Sequence, residues 1–136
     1  MNTLGLICAA ATFLGVWLGH VSVRCIEAQA VSIRLPAVMF TATGLALLAG
    51  SLLVPSVSLS AALAILGVTV LVDAAEIFHQ EQRVINGRAP ANPRNPRHRR
   101  ILAEHASATT VQWLKRQPQG RQLSVAEINS IRETAE

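Results

Sequence analysis

Residues 1–23 contain no Asp, Glu, Lys or Arg, and neither do residues 35–72. Nothing else in the chain restricts its fold so strongly. A bilayer core takes about 20 apolar residues in a helix, and backbone groups inside it must be satisfied within the segment itself. Residues 4–23 are enough for one span. The second stretch is too long for a single span, and Val54-Pro55-Ser56-Val57-Ser58 divides it. Proline cannot continue a helix interior and serine readily caps a new helix. The pattern therefore predicts an all-α protein with three transmembrane helices, at about 4–23, 35–54 and 57–86. The first run is read as a retained helix rather than a signal peptide. No basic residue precedes it and no A-x-A-like cleavage site follows it.

Charge supports this division. Only 15% of the residues are charged and 51% are apolar, where a soluble domain carries about a quarter charged residues. Residues 1–78 hold two basic and three acidic residues, and residues 79–136 hold ten and five. A nearly neutral membrane domain (1–86) thus precedes a basic tail. Aromatics are few and tyrosine is absent, which argues against a base-stacking surface and hence against nucleic acid as a partner. Arg24 and Arg34 flank the first turn, and arginines follow the third helix. The start of the chain and the Pro55 turn have none. Positive residues stay on the cytoplasmic side, so the N-terminus is expected outside and the C-terminus in the cytoplasm.

Beyond the spans, Asn86-Gly87 supplies a helix stop. Residues 87–100 read as a Pro/Arg-rich linker, with Pro90, Pro93 and Pro96 holding the chain extended. Its basic stretch of Arg83, Arg88, Arg94, Arg97, Arg99 and Arg100 would face anionic lipid headgroups or a protein partner. Residues 101–136 are expected to be a helical tail. One amphipathic helix carries Ile101, Leu102, His105, Thr109 and Trp113 on one side and ends at Pro118 and Gly120. A second starts at Ser124, where Ser124 with Glu127 makes a capping box and Leu123 with Ile128 a hydrophobic staple.

Charged groups within a span cost about 2.5–3.5 kcal/mol each at its centre, so those present need a reason. His20, Arg24 and Glu27 share one face of helix one, and Thr69, Asp73, Glu76 and Gln80 share one face of helix three. This interhelical network reads first as a structural clamp, with Arg24 reaching Asp73 or Glu76. The alternative is a proton or ion relay through Asp73, Glu76 and His20. The outer half of the spans is apolar apart from Thr12, Thr41, Thr43 and Ser51, which counts against conduction. Haem between His20 and His79 is set aside because their axial offset approaches about 15 Å. No spacing suggests a metal site, and no cofactor or catalytic residue is expected. Ala11, Gly15 and Gly19 on helix one, and Ala42, Ala46 and Gly50 on helix two, form stripes of small residues that suit close helix packing. Trp17 is read as packing. Cys8 and Cys25 lie too far apart on one helix to pair.

Two stretches resemble an uncharacterised family of small bacterial integral membrane proteins, known as a domain of unknown function. The first is Gly5-Leu6-Ile7, Ala11-Thr12-Phe13-Leu14 and His20 with Glu27 seven residues later. The second is Leu66-Gly67-Val68, then Glu76-Ile77-Phe78-His79-Gln80-Glu81-Gln82-Arg83-Val84, with Gly87, Pro90 and Asn92-Pro93. The likeness covers roughly residues 3–97. Family members usually have Pro after the His and aromatics after the Glu, where this chain has Val21 and Ala28-Gln29. The resemblance implies a membrane protein and supplies no activity. The sequence thus leads to a non-catalytic accessory or scaffold subunit of a bacterial inner-membrane assembly, or a self-oligomer, with its tail docking on the cytoplasmic side. A small proton or ion transporter or channel component using Asp73 and Glu76 is the alternative.

Overall fold

The computed structural model describes residues 3–112. Four helices follow in order: α1 (Leu4–Gln29), α2 (Arg34–Leu53), α3 (Val57–Ile85) and α4 (Pro96–Glu104). The first three are long and apolar enough to cross a membrane. Among the described residues there is no strand. The readings at Trp113, Pro118, Gly120, Leu123, Ser124, Glu127 and Ile128 lie outside them.

Helix α3 is the centre of the bundle. It packs against both α1 and α2, which make little contact with each other. The packing rests on small residues. Ala11, Gly15 and Gly19 of α1 are buried, with Gly15 against Leu66 and Thr69 and Gly19 against Asp73. On α2 the packing face differs from the stripe read in the sequence. Ala42 and Ala46 are exposed, and a Cβ on Gly50 would meet nothing within 4 Å. The buried positions are Ala37, Gly44 and Ser51. A Cβ on Gly44 would stand 2.9 Å from the Gly67 carbonyl of α3, and one on Gly67 3.0 Å from the Gly44 carbonyl. Two glycines therefore bring these backbones together, the device that compensates for the weak hydrophobic drive between helices in lipid. Away from α3 the spans are apolar, with Leu6, Phe13, Leu52 and Leu53 between 68% and 86% exposed. Trp17 belongs to this outward face, 55% exposed, rather than to the packing.

Where α2 ends, Val54 and Pro55 form the turn and Ser56 caps α3, its side chain accepting from the Leu59 amide. Ser60 Oγ donates to the Ser51 carbonyl at 2.7 Å and ties the two helices beside the turn. At the opposite end α1 runs six residues past the predicted boundary. Arg24 and Glu27, beyond the predicted boundary at residue 23, lie on its last two turns.

α3 ends as its sequence predicts. Gly87 has φ +69°, its amide donates to the Val84 carbonyl, and the Arg88 amide donates to the Arg83 carbonyl at 2.7 Å. This is a Schellman closure. Glycine is required here twice over, because a Cβ would also overlap the Ser107 carbonyl. The following segment departs from the extended linker that its prolines suggest. Asn95 caps α4, its side chain accepting from the Arg97 amide at 2.9 Å, and Pro96 occupies the first helical position. α4 thus begins five residues before the predicted start. Beyond it, the Ala91 amide donates to the Thr109 carbonyl and Ser107 Oγ to the Ile85 carbonyl. A small core of Val84, Ala89, Ala91 and Ile101, with Leu102 against it, lies between these segments. A second core, of Val23, Ile33, Ala37 and Ile77, lies where the three spans converge.

Candidate functional site

An α-helix leaves its last carbonyls without partners, and they carry partial negative charge. At the end of α1 these carbonyls are taken up by residues some 65 to 70 positions away in sequence. Asn92 Nδ2 donates to the Ala28 carbonyl at 2.9 Å, and Asn95 Nδ2 to the Ala30 carbonyl at 3.0 Å. Arg97 completes the cap, its Nε donating to the Ala30 carbonyl at 3.3 Å and its Nη2 to the Glu27 carbonyl.

Arg97 also bridges two carboxylates. Its Nη2 lies 3.0 Å from Glu27 Oε1 and its Nη1 2.6 Å from Glu81 Oε1. Its side chain is 13% exposed and that of Glu27 3%, so this is a desolvated pair, and such pairs hold only when their remaining polar atoms are bonded. His98, fully buried, meets the condition. Its Nδ1 accepts the Asn92 amide at 2.7 Å, which leaves Nε2 to donate to Glu27 Oε1 at 2.9 Å. α1, α3 and α4 are joined through one guanidinium.

The expected clamp through Arg24 is not formed. Arg24 is exposed and makes no ion pair among the described residues, although it lines a small cavity with His20, Glu76, Gln80 and Arg83. Arg83, seven residues along α3 from Glu76, takes that carboxylate at 2.7 Å and accepts a second tie by donating to Gln80 Oε1 at 3.0 Å. Glu27 turns away from Arg24 to Arg97. The register explains this outcome. Gly19, rather than Arg24, is level with Asp73, so Arg24 lies past Glu76. The same register puts His20 and His79 about five residues apart along the helix axis, or about 7–8 Å at 1.5 Å per residue, half the offset read from the sequence. His79 is turned outward, with a side chain 72% exposed. No group of three potential metal ligands occurs among the described residues.

The six arginines of the basic stretch separate into two kinds. Arg83 and Arg97 are held by carboxylates, so Arg97 does not face outward as expected. Arg88, Arg94, Arg99 and Arg100 are exposed. Of the residues that form the cap, the sequence reading had named Glu27 and Arg97 but had not joined them. Asn92 enters there only within the family resemblance, and Asn95 and His98 have no role in it. Asn95-Pro96 carries a helix-start signal that could have located α4, whereas nothing local marks Arg97 as the partner of Glu27.

Asp73 stands apart from this network. It is 5% exposed, its Oδ2 is buried without a hydrogen-bond partner, and it forms no ion pair among the described residues. It lines a cavity of about 300 Å³ between α1, α2 and α3.

The architecture defines a class: three apolar helices long enough to cross a membrane, the first and third tied at one end by a folded, basic cap. The family model for the Domain of unknown function (DUF4491) matches residues 2–95, and the chain belongs to that family. The match holds the three spans and both capping asparagines, and Arg97 and His98 lie just past its end. No curated protein and no solved structure matches the chain.

Proposed function

We propose that this protein is a non-catalytic accessory or scaffold subunit of a bacterial inner-membrane assembly, or a self-oligomer, with its N-terminus outside and its basic tail docking in the cytoplasm. One observation carries the reading. The buried polar groups at the basic end are bonded to one another: Glu27 to Arg97 and His98, Arg97 to Glu81, and Asn92 and Asn95 to the end of α1. Groups committed in this way hold a shape, and a reacting group needs a free partner position. The shape they hold turns Arg88, Arg94, Arg99 and Arg100 outward, where each contributes about 1 kcal/mol toward an anionic headgroup surface or steers an acidic partner. Native mass measured on the full chain extracted in mild detergent tests this reading. A defined complex or oligomer is expected, and a bare monomer would overturn it.

The alternative, a small proton or ion transporter component, is favoured by Asp73, since an unpaired carboxylate within a span is a functional group by default. Glu76, its supposed partner in a relay, is neutralised by Arg83. Proton flux into vesicles containing the protein, lost in Asp73→Asn, would establish this second reading.

A further inference from the structure

The Asp73 cleft has features that the scaffold reading does not use. Its walls come from all three spans: Leu18 and Ser22 of α1, Phe40 and Thr43 of α2, and Leu66 and Asp73 of α3 are among the lining residues. Asp73 is the only charged one. The residue is 95% buried; its Oδ2 packs against Gly19 without a hydrogen-bond partner, which leaves Oδ1 as the oxygen for an occupant of the cleft. Ser22 and Thr43 line the same cleft, and its other lining residues are apolar or glycine. His20 and Glu76 act on this carboxylate electrostatically without bonding it, and a buried carboxylate without a bonded partner is stabilised by whatever brings a positive charge to it.

The geometry narrows what that occupant is. A hard metal cation takes six to eight oxygens, and this cleft offers one carboxylate and two hydroxyls. A transmembrane helix is about 10 Å across with its side chains, whereas 300 Å³ corresponds to a space about 7 Å on a side. A lipid tail fills the apolar part but leaves the carboxylate unpaired. An ammonium group on a slender apolar body satisfies each constraint. Its N–H groups would pair with the Asp73 carboxylate, and its hydrocarbon would meet the apolar lining of Leu18, Phe40 and Leu66. We propose that the cleft between the three spans is a binding site for a small amphiphilic ammonium ion, with Asp73 as its counter-ion. This goes beyond the scaffold role and does not depend on it.

The test uses the full chain in phosphatidylcholine nanodiscs, with n-octylammonium (octylamine at neutral pH) as the probe and 1-octanol as its uncharged counterpart. Thermal unfolding is followed as each is added. Octylammonium is expected to raise the midpoint saturably, and octanol is not. Asp73→Asn keeps the side-chain shape and removes an unpaired charge, so it should fold, and its apparent affinity for octylammonium should fall about tenfold or more. Thr43→Phe, at an exposed position on the cleft wall, keeps the carboxylate, narrows the space and should weaken binding as well. No shift with octylammonium, an equal shift with octanol, or an unchanged affinity in either variant would overturn the assignment.

Discussion

Gly19 and Asp73 show how closely one residue's size can be bound to another's charge. The carboxylate lies against the α1 backbone, where a Cβ on residue 19 would overlap Asp73 Oδ2. Gly19→Ala must therefore push the carboxylate aside or separate α1 from α3, an overpacking that costs about 1–3 kcal/mol. Gly50→Ala meets nothing and should be neutral or gain up to about 1 kcal/mol from helix propensity. Unfolding of both variants in detergent checks the contrast, and equal effects would contradict the packing described. A second contrast concerns the arginines. Arg97→Ala strands Glu27 beside His98 and removes a bridge to Glu81, so a loss of about 3–5 kcal/mol is expected. Arg24→Ala removes an exposed, unpaired side chain and should stay within about 0.5 kcal/mol of the parent. From the sequence alone Arg24 was the natural clamp, because it shares a helical face with His20 and Glu27. Helical periodicity identifies residues on one face but does not fix how far two helices are displaced along each other. A displacement of about one turn gave Glu76 to Arg83 and left Arg24 outside.

At the scale of elements, the spans were legible and their partners less so. Apolar runs of the right length, divided by Pro55 and closed by Asn86-Gly87, identify three helices from local chemistry. The packing face of α2 was not legible, because Ala42, Ala46 and Gly50 make as good a small stripe as Ala37, Gly44 and Ser51. Only the meeting of Gly44 with Gly67 on α3 selects between them. The start of α4 was hidden by the prolines, which suggest an extended linker up to Ile101, although Asn95-Pro96 is itself a helix start. Asn95 has two tasks, since its Oδ1 caps α4 while its Nδ2 holds the end of α1. Asn95→Ala should release the segment from the spans. Limited trypsin digestion then ought to cut faster after Arg94, Arg97, Arg99 and Arg100 than in the parent chain. An unchanged cleavage rate would mean that the cap is held by other contacts.

Over the whole molecule, the charge distribution points to one orientation. The turn between α1 and α2, the end of α3 and the arginine-bearing cap lie at the same end of the bundle, since Asn92, Asn95 and Arg97 reach the end of α1. The orientation proposed from the positive-inside rule puts this end in the cytoplasm. A reporter active only in the periplasm, fused after Glu136, should stay silent, and activity there would reverse the orientation. The unclosed contact between α1 and α2 also belongs to this scale. A bundle of three helices in which two flank the third has an open cleft, and the single unpaired carboxylate of the spans lies in it.

The sequence by itself determined the number of membrane-length helices, the class of protein and its basic end, because apolar length, proline and glycine act on their own immediate neighbours. The tertiary structure decided the register of α1 on α3, the pairing of Glu27 with Arg97 and His98, and the isolation of Asp73. Those outcomes depend on which surfaces meet after folding. A carboxylate at position 27 and a guanidinium at position 97 carry no local mark of each other. Only the return of the chain over the end of α1, whose orphan carbonyls attract it, brings them within 3.0 Å.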